Sequence, residues 1–377
     1  MQRSSFCSTK RNVNFFMKIF FCYVIFVVSL CAQELPATQH HYYFYHPDHT
    51  YGSDAQFGPL SLFINGSYDI LRNGGHGKNI FRQPYSAGAK NVWQNISNPV
   101  PAIRDFGAQQ FFDQEIFNLQ LNVKHAEFLP NIVDHTIGNG MQYAKLAEYL
   151  DYRDVRYPYL WSALVTSAYQ FMNEAIENDY YVGTNVDPIS DILIFNTLGI
   201  GLFSFDITKH FFSHVLPVYD WSPQPVFEPM SGRMQNAGQQ YVMRKKIPYI
   251  ENFSFFFYWG IYAMPGISYT VDHENSISFA YGQVVNKLKE GRELGRRKID
   301  PDLDGAIGFF YDRNNSLMAS LLLTGPGLYN AQLNIYPGII SENFGKPGFF
   351  LGAGEWDKFI FGITFADIPI GFGVGSR

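Results

Sequence analysis

The chain has 377 residues, a formal net charge of −5 and only 16% charged side chains, against 18% aromatic ones that include 36 Phe and 25 Tyr. Such a charge balance offers no basic surface to nucleic acid. With 33 Gly and a mean hydropathy of −0.12, the composition is unusual for a cytosolic enzyme and ordinary for a transmembrane β-barrel, in which apolar lipid-facing residues alternate with small or polar interior ones.

In chain order, residues 1–33 predict a secretory signal. Met17-Lys18 supplies a charged beginning, with Met17 a possible true start. Ile19 to Leu30 is an apolar core shorter than a membrane span, and Cys31-Ala32-Gln33 a cleavage zone. All three cysteines (Cys7, Cys22, Cys31) fall in this leader. The mature chain is thus expected to lack disulfide and thiol chemistry, which suits passage through an oxidising periplasm. Residues 34–58 are rich in His and Tyr (His40, His41, His46, His49) without a regular pattern, and predict a flexible tail.

Residues 59–129 predict early strands and loops. Leu60, Leu62 and Ile64 alternate with Ser61, Phe63 and Asn65, and Phe117, Leu119, Leu121 and Val123 with Asn118, Gln120, Asn122 and Lys124. Between them, residues 79–105 hold Pro84, Pro99 and Pro101 and read as a loop-like connection.

Residues 130–216 predict a helical unit. Asp134 is a candidate N-cap for a first helix, and Tyr157-Pro158 opens a second. That second helix carries Ser162, Thr166, Gln170 and Glu174 at four-residue spacing, hence on one side. Asp187-Pro188 opens a third as cap and first residue, and Ile189 to Phe205 is apolar almost all round. Up-down-up packing of three successive helices brings His135, Glu174 and Asp191 to one end of the bundle. Asn196 lies about a turn deeper, and Gln170, Asn173 and Asp187 are candidate binding residues beside them. An imidazole and two carboxylates are equipped for acid–base chemistry or for a divalent metal, and spacing does not choose between these. Each also has a structural reading: Asp187 as cap, Asp191 favoured by the helix dipole, His135 as a hydrogen-bonding residue.

Asp134-His135, Asn173-Glu174 and Asp187-x-x-x-Asp191-x-x-x-x-Asn196-x-x-Gly199 together resemble the pattern of VanZ-like and YfiM-type bacterial envelope proteins, over about residues 130–205. The resemblance implies a helical His…Glu…Asp…Asn-x-x-Gly unit, here joined to strands. It names no reaction and no cofactor.

Residues 217–377 predict barrel strands broken by turns, after a Pro-rich linker from Trp221 to Met230. Ala331, Leu333 and Ile335 face one way and Asn330, Gln332 and Asn334 the other; Ile277, Phe279 and Tyr281 likewise oppose Ser278, Ala280 and Gly282. Asp300 to Gly305 begins like a calcium loop, but Tyr311 stands where the bidentate Glu belongs, so a polar turn is expected. Lys287 to Lys298, with six Lys or Arg in twelve residues, predicts a solvated loop.

The expectation is a mainly β protein, a small antiparallel transmembrane β-barrel carrying a three-helix unit, in the outer membrane of a Gram-negative bacterium with membrane lipid as its partner. Three functions fit: a structural or binding role in the envelope, an envelope- or lipid-modifying enzyme using His135, Glu174 and Asp191, and a small transport pore.

Overall fold

A computed structural model describes residues 42–72, 77–117, 128–293, 296–325, 329–341, 345–354 and 358–376. The expected signal sequence and its three cysteines lie outside them, as do Asn118 to Val123 of the second early strand. The helices occupy residues 59–215 and the sheet begins at Val218.

The helical part contains α1 (Pro59–Ser67), α2 (Tyr85–Ser97), α3 (Pro99–Phe106), α4 (Asn139–Tyr152), α5 (Pro158–Glu177), α6 (Thr197–Phe203) and α7 (Asp206–His210). Two of them run on from wider π-helical turns, α4 from Phe128–Gly138 and α6 from Ile189–Asn196. Such turns are uncommon and concentrate at functional sites. In α5 the polar stripe faces inward: Ser162, Thr166, Gln170 and Glu174 are all buried, while Trp161 and Leu164 are exposed. Burial of that stripe is offset by hydrogen bonds, Ser162 Oγ donating to the Tyr143 carbonyl at 2.6 Å and Thr166 Oγ1 to the Ser162 carbonyl at 3.0 Å.

Among the described residues the sheet has thirteen strands. They are β1 (Val218–Asp220), β2 (Val226–Glu228), β3 (Arg233–Gln235), β4 (Tyr241–Lys246), β5 (Phe253–Trp259), β6 (Tyr262–Thr270) and β7 (Asn275–Glu293). Then come β8 (Arg296–Arg313), β9 (Ser316–Thr324), β10 (Ala331–Ile335), β11 (Pro347–Ala353), β12 (Phe359–Phe365) and β13 (Gly371–Gly375). From β4 to β13 each strand pairs antiparallel with the next; β1 flanks β4, and β13 continues into β2 and β3 through a parallel β13–β2 pairing. Residues of β3 and of β5 through β11 line one shared cavity, so the sheet curls round it.

The barrel expectation needs correcting at one point. The sheet is not closed on itself: β1 and β3 are its two ends. Helical residues stand at both. Met141, Tyr143 and Phe203 pack on Val218, Tyr241 and Trp259, while Ile70, Leu71 and Ile176 pack on Met234 and Ala237. The residues joining β3 to β4 are tied to the end of α1 and the turn after it. Gly238 N donates to Asn65 Oδ1 at 2.9 Å, Gln239 N to Asp69 Oδ1 at 2.6 Å, and Arg72 Nη1 to Gln240 Oε1 at 2.5 Å. Edges that a barrel removes by closure are here covered by another part of the chain.

Large apolar side chains lie on the exposed face of the strands as well as within the sheet. In β5, Phe253 and Phe255 are exposed and Ser254 and Phe256 buried; in β6, Ile267 and Tyr269 flank buried Ser268. In β12 and β13, Phe359, Phe361, Phe372 and Val374 are exposed opposite buried Ile360, Thr364, Gly371 and Gly373. Phe255 and Phe372 each keep 61% of their surface exposed, and Ser268 keeps 1%.

Five other expectations change. Residues 42–58 are not a flexible tail: the Glu148 carboxylate accepts the amides of Tyr43, Phe44 and Tyr45 at 3.0, 2.8 and 2.9 Å, and Gly52 N donates to the Pro337 carbonyl at 2.7 Å. The early strand at residues 59–71 is α1, which Pro59 starts by supplying a preset φ and no amide at the first turn. The loop at residues 79–105 is largely α2 and α3, its Pro99 again at a helix start. The Pro-rich linker contains β2. Asp300 to Gly305 and the basic run belong to one long β7–β8 hairpin, paired out to Glu293 opposite Arg296, so neither a calcium loop nor a polar turn forms there.

Candidate functional site

Three helical segments meet where the polar residues of the helical unit are buried. His135 sits in the π-helical run before α4, Glu174 in the last turn of α5, and Asp191 in the π-helical run before α6. One donor atom from each lies within 4.8 Å of the others. His135 Nε2 is 3.3 Å from Asp191 Oδ2. Their side chains retain 14% and 5% of their exposure, and Glu174 is buried.

What allows the approach is Gly199. A Cβ there would stand 2.6 Å from the Thr136 carbonyl oxygen and 3.1 Å from that of His135. The spacing Asn196-x-x-Gly199 thus lets the Asp191 segment lie directly against the backbone that carries His135, where any side chain would hold the two apart.

A chain of hydrogen bonds reaches the imidazole and can run in either direction. Gln239 Nε2 donates to Tyr169 OH at 3.2 Å, and Tyr169 OH donates to Asn139 Oδ1 at 2.6 Å. Asn139 then has only its amide group to offer His135 Nδ1, 3.4 Å away. Nδ1 is therefore the acceptor, and Nε2 carries the hydrogen facing Asp191. Rotating both amides and the hydroxyl reverses every bond in the chain, leaving Nδ1–H and freeing the Nε2 lone pair for a metal. Ordinary amide and hydroxyl rotations support both states.

The electrostatics are those of a site without a balancing cation of its own. Burial pushes the His135 imidazole down to about 4, opposed by the hydrogen bond with Gln170. Asp191 is pushed well above the usual carboxylate range, first by burial and then by the carboxylates of Asp187, Glu115 and Glu177, with Ser190 opposing. Glu174, Glu177 and Asp187 form a second group with donor atoms within 4.8 Å of one another, sharing Glu174 with the first. In this second group Glu177 and Asp187 are half-buried and Glu174 buried.

Each expected residue has a definite place. His135, Glu174 and Asp191 come together, and Gln170 reaches His135. Asp187 joins the acidic group, but as a residue of the first helical turn rather than as the cap, since the Val186 carbonyl already accepts the amides of Ile189 and Ser190. Asn173 points away, its Oδ1 accepting the Ile70 amide at 3.1 Å. Asn196 donates to Ser167 Oγ at 3.3 Å, and its buried Oδ1 has no hydrogen-bond partner. Asp134 is half-buried in the interior of its π-helical run rather than at its start, so it is not an N-cap. Glu177, Glu115 and Asn139 were not foreseen. Glu177 was legible, lying three residues from Glu174 on the same helix face; Glu115 was not, because nothing local links it to a site far along the chain.

No family model matches this chain, and no characterised protein or solved structure is found similar to it.

Proposed function

We propose that this chain is an envelope protein whose curled sheet lies in an outer membrane and whose helical unit binds a divalent cation through His135, Glu174 and Asp191. The observation that carries the binding role is the convergence of one nitrogen and two carboxylate donors from three separate helical segments, within 4.8 Å, in a buried setting. A transition-type cation coordinated at about 2.0–2.2 Å is of the size to fit among them. It would supply the positive charge that burial of His135 and Asp191 among the carboxylates of Asp187, Glu115 and Glu177 favours. Mixed imidazole and carboxylate donors favour zinc or manganese over calcium, which takes oxygen ligands only. The nearly sealed position suits an ion better than a bulky substrate. The residue order His…Glu…Asp…Asn-x-x-Gly, on which the likeness to VanZ-like and YfiM-type proteins rests, is read as the signature of this unit.

Membrane placement is supported by the apolar outer face of the sheet. Exposed Phe, Ile, Tyr and Val alternate with buried Ser, Gly and Thr over β5, β6, β12 and β13, the pattern lipid selects and water does not. Among the described residues no single helix is long and apolar enough to cross a membrane. The pore reading is weaker, because Trp221, Phe256, Tyr258 and Phe310 fill much of the interior.

The binding role is tested by metal analysis of the detergent-solubilised protein after chelation and reloading. About one equivalent of zinc or manganese is expected, with at least tenfold weaker binding in Glu174→Gln and Asp191→Asn at unchanged circular dichroism. A wild-type chain that takes up neither metal would end the proposal. An acid–base enzyme is the second reading, favoured by the close His135–Asp191 pair.

A further inference from the structure

The interior of the sheet contains a second polar place, separate from the helical site. A cavity of about 90 Å³ is enclosed by residues of β3 and β5 through β11. That space is several times what one water occupies, and enough for a small oxyanion. Lys78 and Arg72 both line it. Neither lies on a strand; the turn after α1 and the segment before α2 carry them in from the helical side.

Two donors at this cavity lack acceptors, and a cation, Lys78, stands beside them. The charges acting on the Lys78 ammonium are the guanidinium groups of Arg233 and Arg72; after burial, these two hold its pKa down to about 8. Arg72 spends its terminal nitrogens on Asp69, Gln240 and the Gln239 carbonyl, but its Nε is buried with no partner. Gln235, 2% exposed, has neither amide atom hydrogen-bonded. Buried donors without acceptors are costly and in native proteins signal a bound water or ion. Two cations crowded together add a preference for negative charge. One carboxylate, Asp304 of β8, also lines the cavity and sets a limit on how strongly an anion is held.

We infer that this cavity is an anion site, taking a free tetrahedral oxyanion of the size of phosphate on Lys78, Arg72 and the Gln235 amide. The small volume excludes a headgroup carrying its glycerol backbone, so the ligand is the free ion rather than a phospholipid.

The test is calorimetric titration of the full chain in a non-ionic detergent with inorganic phosphate, against chloride at matched ionic strength. Saturable phosphate binding is expected, absent with chloride, weakened at least tenfold by Lys78→Met and strengthened by Asp304→Asn. Thermal midpoints and circular dichroism of both variants establish that they fold. Equal heats for phosphate and chloride, wild-type affinity in folded Lys78→Met, or competition by short-chain phosphatidic acid as effective as phosphate itself would each overturn the assignment. Lys78 does not touch His135, Glu174 or Asp191, so metal uptake at the helical site is expected to survive in Lys78→Met.

Discussion

At the scale of single residues, His135 and Asp191 give the metal-free protein two opposing pH dependences. Native His135 takes its proton only near pH 4, whereas the unfolded imidazole takes one near its ordinary 6.5. Between those values the unfolded chain binds more protons, so stability falls as pH drops through the window, by on the order of 3 kcal/mol in all. Asp191 acts in the other direction. Its raised native pKa means that the native chain holds a proton the unfolded chain has released, so this contribution to stability declines as pH rises above 3.8. Asp191→Asn removes the second dependence alone. In chelator at neutral pH it is expected to raise stability by about 1–3 kcal/mol, because a carboxyl is no longer forced to ionise or to stay protonated in a buried place. Denaturant titrations from pH 4 to 8 measure both effects. Destabilisation of metal-free Asp191→Asn would mean that the carboxylate has a structural partner stronger than His135.

Within the elements, the close contact at Gly199 and the anchor at Glu148 carry the next predictions. Gly199→Val would force the Asp191 segment off the His135 backbone; a loss of about 2–3 kcal/mol and of metal binding together is expected, as for overpacking of a tight core. Glu148→Gln leaves at least one of three amides without its acceptor. A loss of about 1.5–3 kcal/mol is expected, with faster proteolysis between Tyr42 and Phe57 as the readout. Element legibility followed the signals each segment emits. The strands after Tyr241 were readable because a half-exposed strand must alternate, and that alternation is local. The convergence of His135, Glu174 and Asp191 was readable from helix direction alone. Leu60 to Asn65 was misread because over six residues an alternating pattern also fits a helix with one buried face; Pro59 was the better cue. Glu148 gave no signal, since its partners are backbone amides about a hundred residues away. Neither did β2 and β3, whose three-residue strands depend on pairing with β13 rather than on their own sequence.

For the whole molecule, the apolar outside of the sheet predicts its behaviour in lipid. The full chain is expected to float with phospholipid vesicles and to stay with them at high salt and alkaline pH. Phe279→Asp and Phe255→Asp, each placing a carboxylate on the outer face, should reduce insertion without touching metal uptake at the helical unit. Quantitative recovery of the mature chain in the aqueous fraction would rule out the membrane placement.

The unclosed seam between β1 and β3 bears on how such a molecule is assembled. Strands that close on one another can enter a bilayer as a finished cylinder, with no part of the backbone waiting for a partner. Here the last hydrogen bonds of the seam come from Asn65, Asp69 and Arg72, far earlier in synthesis than any strand. The segment from Pro59 to Arg72 is therefore expected to be in place when the ends of the sheet come to rest. It would act as a template against which the two ends of the sheet are brought to rest. Residues 217–377 made alone should insert poorly or pair end to end into oligomers, and supplying residues 34–216 as a separate chain should restore the monomer.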